Sequence, residues 1–279
     1  MSTLYVSDLD GTLLQPDARL SEKTVRLLNE SVADGKLFTI ATARTPATVA
    51  GIIKGLDMRV PAIVLTGAAL WNPATGHYTE PRFIPEAAGS KLIDTFRRNG
   101  TRTFVFTLGE DDVLDVYHIG GPLSGLQRQF MEERLRSPYK RFVVDPTGAD
   151  TLPSDLSRLI LFYTMLPDAE ARPAYDDARQ IDGVRMQCYN DIYGPEIALL
   201  DGFAADATKA NAVRSLASAV GADRIVCFGD NINDLPMMAQ ADVSVAVANA
   251  LPEVREAADI VIGPNTADSV AEFIRNDRG

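Results

Sequence analysis

The chain has 279 residues, 46% of them hydrophobic and 23% charged, with a formal net charge of −11. That length allows one large domain or two modest ones with core enough to fold without covalent staples. Two cysteines exclude a disulfide framework, two histidines with no cysteine cluster argue against zinc, no apolar run reaches membrane-span length, and an acidic chain without a dense Lys/Arg cluster is a poor partner for nucleic acid.

The chain opens on a short apolar strand, Leu4–Val6, with no secretory leader pattern ahead of it, so a cytoplasmic setting is expected. Ser21 can cap a helix whose Val25, Leu28 and Val32 share one face, and Gly35 is placed to end it. A buried strand follows at Leu37–Ala41. Thr45-Pro46 then reads as the cap and first residue of a second helix, and Ala62–Leu65 as a third strand. This rhythm is that of a parallel sheet covered on both faces. From Phe83 to Ile192 the pattern changes. Turns are frequent, strands alternate (Arg102–Thr107, Val113–Ile119, Arg158–Thr164), and helices are expected at Glu86–Arg98 and Pro167–Gln180. The first rhythm then resumes: helix Ala207–Val220, strand Arg224–Phe228, helix Asn231–Ala239, strand Val243–Val247, helix Leu251–Ala257, strand Ile260–Ile262 and a last helix from Thr266. The predicted fold is therefore α/β, a doubly wound parallel-sheet, Rossmann-like core over residues 1–82 and 193–279, interrupted by an inserted α+β domain over 83–192.

Chemistry concentrates where strands end. Leu4–Val6 runs into Asp8-Leu9-Asp10-Gly11-Thr12, and two carboxylates that close raise each other's pKa unless a cation or a proton intervenes. The pair alone fits either a metal site or an acid/base couple. Open parallel sheets bind ligands beyond the carboxyl ends of their strands. Thr42 closes the second strand, and Asp230 closes Ile225–Phe228 within Gly229-Asp230-Asn231-Ile232-Asn233-Asp234. Four carboxylates at one rim need a hard cation, and oxygen-only ligation suits magnesium. Lys209, in the first turn of a helix, is the positive charge available to hold an anion.

Together these motifs resemble the haloacid dehalogenase superfamily, in its Cof-like phosphatase branch. Asp8-Leu9-Asp10-Gly11-Thr12 matches the first motif, Thr42-Ala43-Arg44 the second, Lys209 the third and Gly229–Asp234 the fourth. Val247-Ala248-Asn249-Ala250 and Ala257-Ala258-Asp259 match the stretch after it. Ala43 stands where the branch usually has Gly, and Thr66-Gly67 where it has Asn-Gly. The resemblance implies a cap domain inserted in a catalytic core, and a magnesium-dependent phosphatase of small phosphorylated metabolites. It implies Asp8 as nucleophile, and Asp10 as the acid that protonates the leaving group and then the base that activates water. Magnesium would be held by Asp8, the Asp10 backbone carbonyl and Asp230. Thr42, the Leu9 and Ala43 N–H groups, Lys209 and Asn233 would hold the phosphoryl oxygens. Thr12 and Asp234 would stand behind them, Asp234 bracing Lys209 or a metal-bound water.

The same site could instead return phosphate to a sugar, as in the related phosphomannomutases. A non-catalytic phospholigand sensor would be expected to have lost Asp8, Asp10 or Asp230. Asn249 reads as a helix cap before Leu251-Pro252, Arg44 as a structural or rim residue, and Asp234 as either a helix cap or a site residue. Nothing in the sequence speaks to oligomeric state.

Overall fold

β1 (Thr3–Ser7) is buried at every position and forms the spine of a five-stranded parallel sheet. The chain continues through α1 (Glu22–Ala33), β2 (Leu37–Ile40), α2 (Pro46–Ile53), and three short strands, β3 (Ala62–Val64), β4 (Ala69–Trp71) and β5 (Tyr78–Thr79). Next come α3 (Glu86–Arg98), β6 (Thr103–Leu108), β7 (Leu114–Ile119), α4 (Gly125–Glu132), β8 (Lys140–Val143), β9 (Leu159–Pro167), α5 (Asp168–Ala178), β10 (Val184–Asp191) and β11 (Gly194–Ala204). The last stretch holds α6 (Lys209–Val220), β12 (Arg224–Gly229), α7 (Leu235–Met238), β13 (Val243–Val247), α8 (Pro252–Ala257), β14 (Ile260–Ile262) and α9 (Ser269–Asn276). The structure, a computed structural model, describes residues 2–191 and 194–278.

The chain forms two compact units, Met1–Glu80 with Thr208–Gly279, and Pro81–Ala207. In the first, the parallel sheet runs β14-β13-β12-β1-β2. β1 pairs on one side with β2, its neighbour in sequence, and on the other with β12, with Ser7 opposite Phe228. Four of the five strands are largely buried, the edge strand β14 being the exception, as expected of a sheet covered on both faces; α1 packs on α9, and α6 on α7. Local signals behave as physics requires. The Ser21 hydroxyl accepts from Thr24 N at 2.9 Å to start α1, and Pro46 occupies the first turn of α2.

One expectation fails here. Ala62–Leu65 is not a full third strand of the parallel sheet: it joins that sheet through a single bridge, Ala41 to Ile63. β3 instead pairs antiparallel with β4, and β4 with β5. The reason is local, since the backbone turns into the left-handed region at Leu65, Thr66 and Gly67 and sends the chain straight back along β3.

The second unit is a six-stranded sheet in the order β10-β11-β9-β6-β7-β8, antiparallel except for β7 with β8. Phe104 lies at the centre of one face, ringed by Phe106, His118, Phe130 and Phe142. On the other, Phe96 of α3 meets Phe162. The expected second boundary, at 192/193, lies outside the described residues. The core resumes later than expected, at Thr208, because β11 is hydrogen-bonded to β10 and β9 over most of its length. No described helix is long and apolar enough to cross a membrane.

Candidate active site

Asp8 leaves the end of β1, where its N–H donates to Phe228 O at 3.0 Å, tying the turn to β12. Gly11 follows with φ +85, and a Cβ there would overlap the Asp230 carboxylate. Only glycine lets this turn come so close to the end of β12. The turn is tethered further: the Asn249 side chain donates to Gly11 O at 2.7 Å and accepts from Asn265 N at 2.9 Å. Asn249 is therefore not the helix cap expected of it. Leu251 occupies the cap position before α8, and its N–H donates to Asp230 O at 2.9 Å.

Lys209 opens α6 behind the Thr208 cap, whose hydroxyl accepts from Asn211 N at 3.0 Å. A cation at a helix N-terminus opposes the helix dipole, so something stronger must hold it. Its ammonium lies 2.5 Å from Asp8 Oδ1 and 2.8 Å from Asp234 Oδ1, all three side chains being buried. Asp234 Oδ2 accepts from Asp230 N at 3.1 Å and Asn231 N at 3.2 Å. The either/or expected of Asp234 thus dissolves: one oxygen caps the short turn Ile232–Asp234, the other braces Lys209. The Thr12 hydroxyl donates to Asp230 Oδ1 at 2.6 Å.

The electrostatics follow from burial. Burial drives the Asp8 carboxyl well above the usual carboxylate range, with Lys209 pulling back and Asp234 and Asp230 adding to the rise. Burial likewise works against the Lys209 charge, but Asp8 and Asp234 outweigh it and hold that pKa above its ordinary value. Burial pushes Asp230 up to about 6; the Thr12 hydrogen bond lowers it and Asp234 raises it.

Asp8, Asp230 and Asp234 can each present an oxygen within 4.8 Å of the others. Three carboxylates against one ammonium leave a deficit of two positive charges, which is what a divalent cation supplies. The donors are oxygens only, as magnesium prefers. Both oxygens of Asp234 are engaged, whereas Asp8 Oδ2 and Asp230 Oδ2 carry no hydrogen bond among the described residues. Asp8 and Asp230 could therefore hold the ion, with Asp234 behind them.

Around this cluster, Thr42 is buried at the end of β2 and its Oγ1 accepts from Arg44 N at 3.1 Å, leaving the hydroxyl proton to donate. The Leu9 and Ala43 N–H groups make no hydrogen bond to described residues. Asn233 is exposed and makes no side-chain hydrogen bond to the cluster. Asp10 stands apart, half-exposed, with its carboxylate gripped by Arg44 through Nε (2.8 Å) and Nη2 (2.6 Å). Sequence reasoning left Arg44 at the rim; an arginine two residues beyond Thr42 was the available signal. Thr66, where the resemblance expects Asn, is buried with its hydroxyl unpartnered among the described residues.

Buried carboxylates and a lysine at the strand ends of a parallel sheet are a setting suited to phosphoryl transfer. A family model described as haloacid dehalogenase-like hydrolase matches residues 5–274; the chain belongs to that family, as a phosphoric monoester hydrolase. It is 24% identical over 292 residues to the pyridoxal phosphate phosphatase YbhA of Escherichia coli, covering 98% of each chain. It is also 24% identical to the 5-amino-6-(5-phospho-D-ribitylamino)uracil phosphatase YitU of Bacillus subtilis, covering 98% of this chain and 96% of the other. The crystal structure of a haloacid dehalogenase-like hydrolase from Bacteroides thetaiotaomicron superposes with a TM-score of 0.76 at 21% identity, over 98% of both chains, and shares the fold.

Proposed function

We propose that the chain is a magnesium-dependent phosphatase of small phosphorylated metabolites, working through a covalent phosphate on Asp8. The observation that carries this reading is the division of Asp8: Oδ1 is fixed by Lys209 while Oδ2 stays open, inside a buried cluster two positive charges short of neutral. The substrates named for the two relatives, pyridoxal phosphate and 5-amino-6-(5-phospho-D-ribitylamino)uracil, are both small phosphorylated molecules and support the substrate class.

The Asp8 carboxylate attacks phosphorus, forming an O–P bond as the bond to the leaving oxygen breaks. Asp10 gives its proton to that leaving oxygen. It then takes a proton from the water that attacks the phosphorus of the aspartyl-phosphate, so inorganic phosphate leaves and Asp8 is regenerated. Lys209, the Thr42 hydroxyl, the Leu9 and Ala43 N–H groups and Asn233 hold the phosphoryl oxygens and the charge that builds on them. Asp8, Asp230 and the Asp10 backbone carbonyl would hold a magnesium ion, which would supply the charge that offsets repulsion between the nucleophile and the anionic substrate.

The test is phosphate release from sugar phosphates, pyridoxal phosphate, flavin mononucleotide and nucleotides, with and without magnesium. Asp8→Asn is expected to abolish turnover on every substrate while its circular dichroism and melting curve stay native. An Asp8→Asn protein with full activity would refute the nucleophile assignment, and product formation only with a bisphosphate activator would point to a mutase.

A further inference from the structure

The Asp10 carboxylate has one partner among the described residues, Arg44, and otherwise faces solvent with a side chain 54% exposed. A short carboxylate on a turn, left alone, spreads over its rotamers. The Arg44 guanidinium removes that freedom. Nε and Nη2 form the side-on fork, each taking a different oxygen of Asp10, and a two-point contact of planar groups fixes the plane of the carboxylate as well as its position. A fork positions nothing unless it is itself anchored. Arg44 is anchored through its backbone: its N–H donates to Thr42 Oγ1 at 3.1 Å, and its carbonyl accepts from Leu65 N at 3.1 Å. Leu65 and Thr66 lie in the left-handed region (φ +53 and +58), where a non-glycine residue persists only when its surroundings hold it. Thr66 N in turn donates to Thr42 O at 3.0 Å, so the same turn grips both ends of the Thr42–Arg44 segment.

We infer that Arg44 is the positioning residue for Asp10, aiming the carboxyl group at the leaving oxygen through the fork. The inference rests on the proposed role of Asp10 as proton donor. In that step Asp10 loses its proton to the leaving oxygen as the P–O bond breaks, and it regains one from the attacking water. Arg44 exchanges no proton in this step; its effect on the reaction runs through the direction in which Asp10 points. Misaiming a catalytic group by about 1 Å costs on the order of 10²-fold. The cost should fall on substrates in proportion to their need for a proton.

The experiment is single-turnover release of the leaving group by the magnesium-loaded protein from two esters. One is 4-nitrophenyl phosphate, whose leaving group departs without a proton; the other is the alkyl phosphate turned over fastest in the panel above. The wild type is compared with Asp10→Asn, Arg44→Gln, Arg44→Lys and the Asp10→Asn/Arg44→Gln double variant. Arg44→Gln is expected to slow the alkyl ester by roughly 10- to 100-fold, and the aryl ester much less. Arg44→Lys, which keeps the charge but loses the fork, should fall near Arg44→Gln. In the double variant the alkyl rate should lie within about threefold of Asp10→Asn alone, because an aim cannot be lost twice. Equal slowing of both esters by Arg44→Gln, wild-type rates in Arg44→Lys, or multiplying losses in the double variant would overturn the inference while leaving Asp10 as the acid. If Asp10→Asn slows both esters alike, the proposed role of Asp10 fails and the inference falls with it. Melting curves of each variant separate lost aim from lost fold.

Discussion

Lys209 neutralises its two buried neighbours, and the proposed mechanism asks it to hold an anion as well. Its ammonium is the one cationic partner of both Asp8 and Asp234 among the described residues. Removing one partner of a buried ion pair leaves charge uncompensated and costs about 3–5 kcal/mol. Lys209→Met should therefore lose that order of stability in urea titrations as well as its activity. Added magnesium should recover part of the stability but not the turnover, because binding the folded state alone stabilises it by mass action. A Lys209→Met protein as stable as wild type would show that the cluster protonates and needs no cation. At this scale the sequence was largely legible. Asp8, Lys209, Asp230 and Asp234 meet at the strand ends, where the sequence led one to look, while the Asp10 side chain turns aside to Arg44. The Arg44–Asp10 fork and the Asn249 tether were not, because each is a contact between segments whose approach depends on backbone turns that residue type does not encode.

Those turns are the business of the elements. The run Leu65–Gly67 follows β3 with three successive left-handed residues, and Gly67 (φ +93) faces the Thr208 carbonyl so closely that a Cβ would overlap it. Gly67→Ala must then displace the N-terminal turn of α6, the turn that carries Lys209. We expect a loss of stability of at least ~2 kcal/mol and a fall in activity larger than the fraction unfolded explains, read from phosphate release beside chemical denaturation. Native stability and full activity in Gly67→Ala would mean the turn yields freely. This run also shows why one strand was misread. Ala62–Leu65 has the composition of a buried parallel strand, and composition is silent on a chain reversal that a threonine and a leucine make against their own steric preference. β10 escaped for a different reason. Val184–Cys188 alternates apolar and polar residues as a half-buried strand does, so β10 was legible in the sequence and went unread.

Across the whole molecule, stability is set by two cores that titrate differently. In the second unit Lys140 is buried over the Phe106 and Phe130 rings, at 5.1 and 5.0 Å. Burial, with some repulsion from Arg134, pushes its pKa down to about 7 from 10.5. The folded value lies below the unfolded one. Below pH 7 the folded state therefore bears the full cost of the buried ammonium, and as pH rises from 7 toward 10.5 the unfolded chain holds the extra proton and stability rises. Lys140→Met should thus be more stable than wild type at pH 6 by a few kcal/mol, less what the ring contacts return, with the gap closing by pH 10. Urea titrations at pH 6, 8 and 10 decide it, and a gap independent of pH would mean Lys140 is not the titrating group. The strand order has a last consequence, for the chain as it is made. The second unit is continuous, and all six of its strands exist once Ala204 has been added. β1, made first, must wait for β12 to emerge before it gains its second neighbour, and until then it has an open edge available to any passing strand. Asp8 is synthesised long before Lys209, Asp230 and Asp234. A ribosome-bound chain that stops short of Arg224 holds Asp8 on a strand paired on one side only, with half of the proposed ion site, so this cluster is among the last things the protein can assemble.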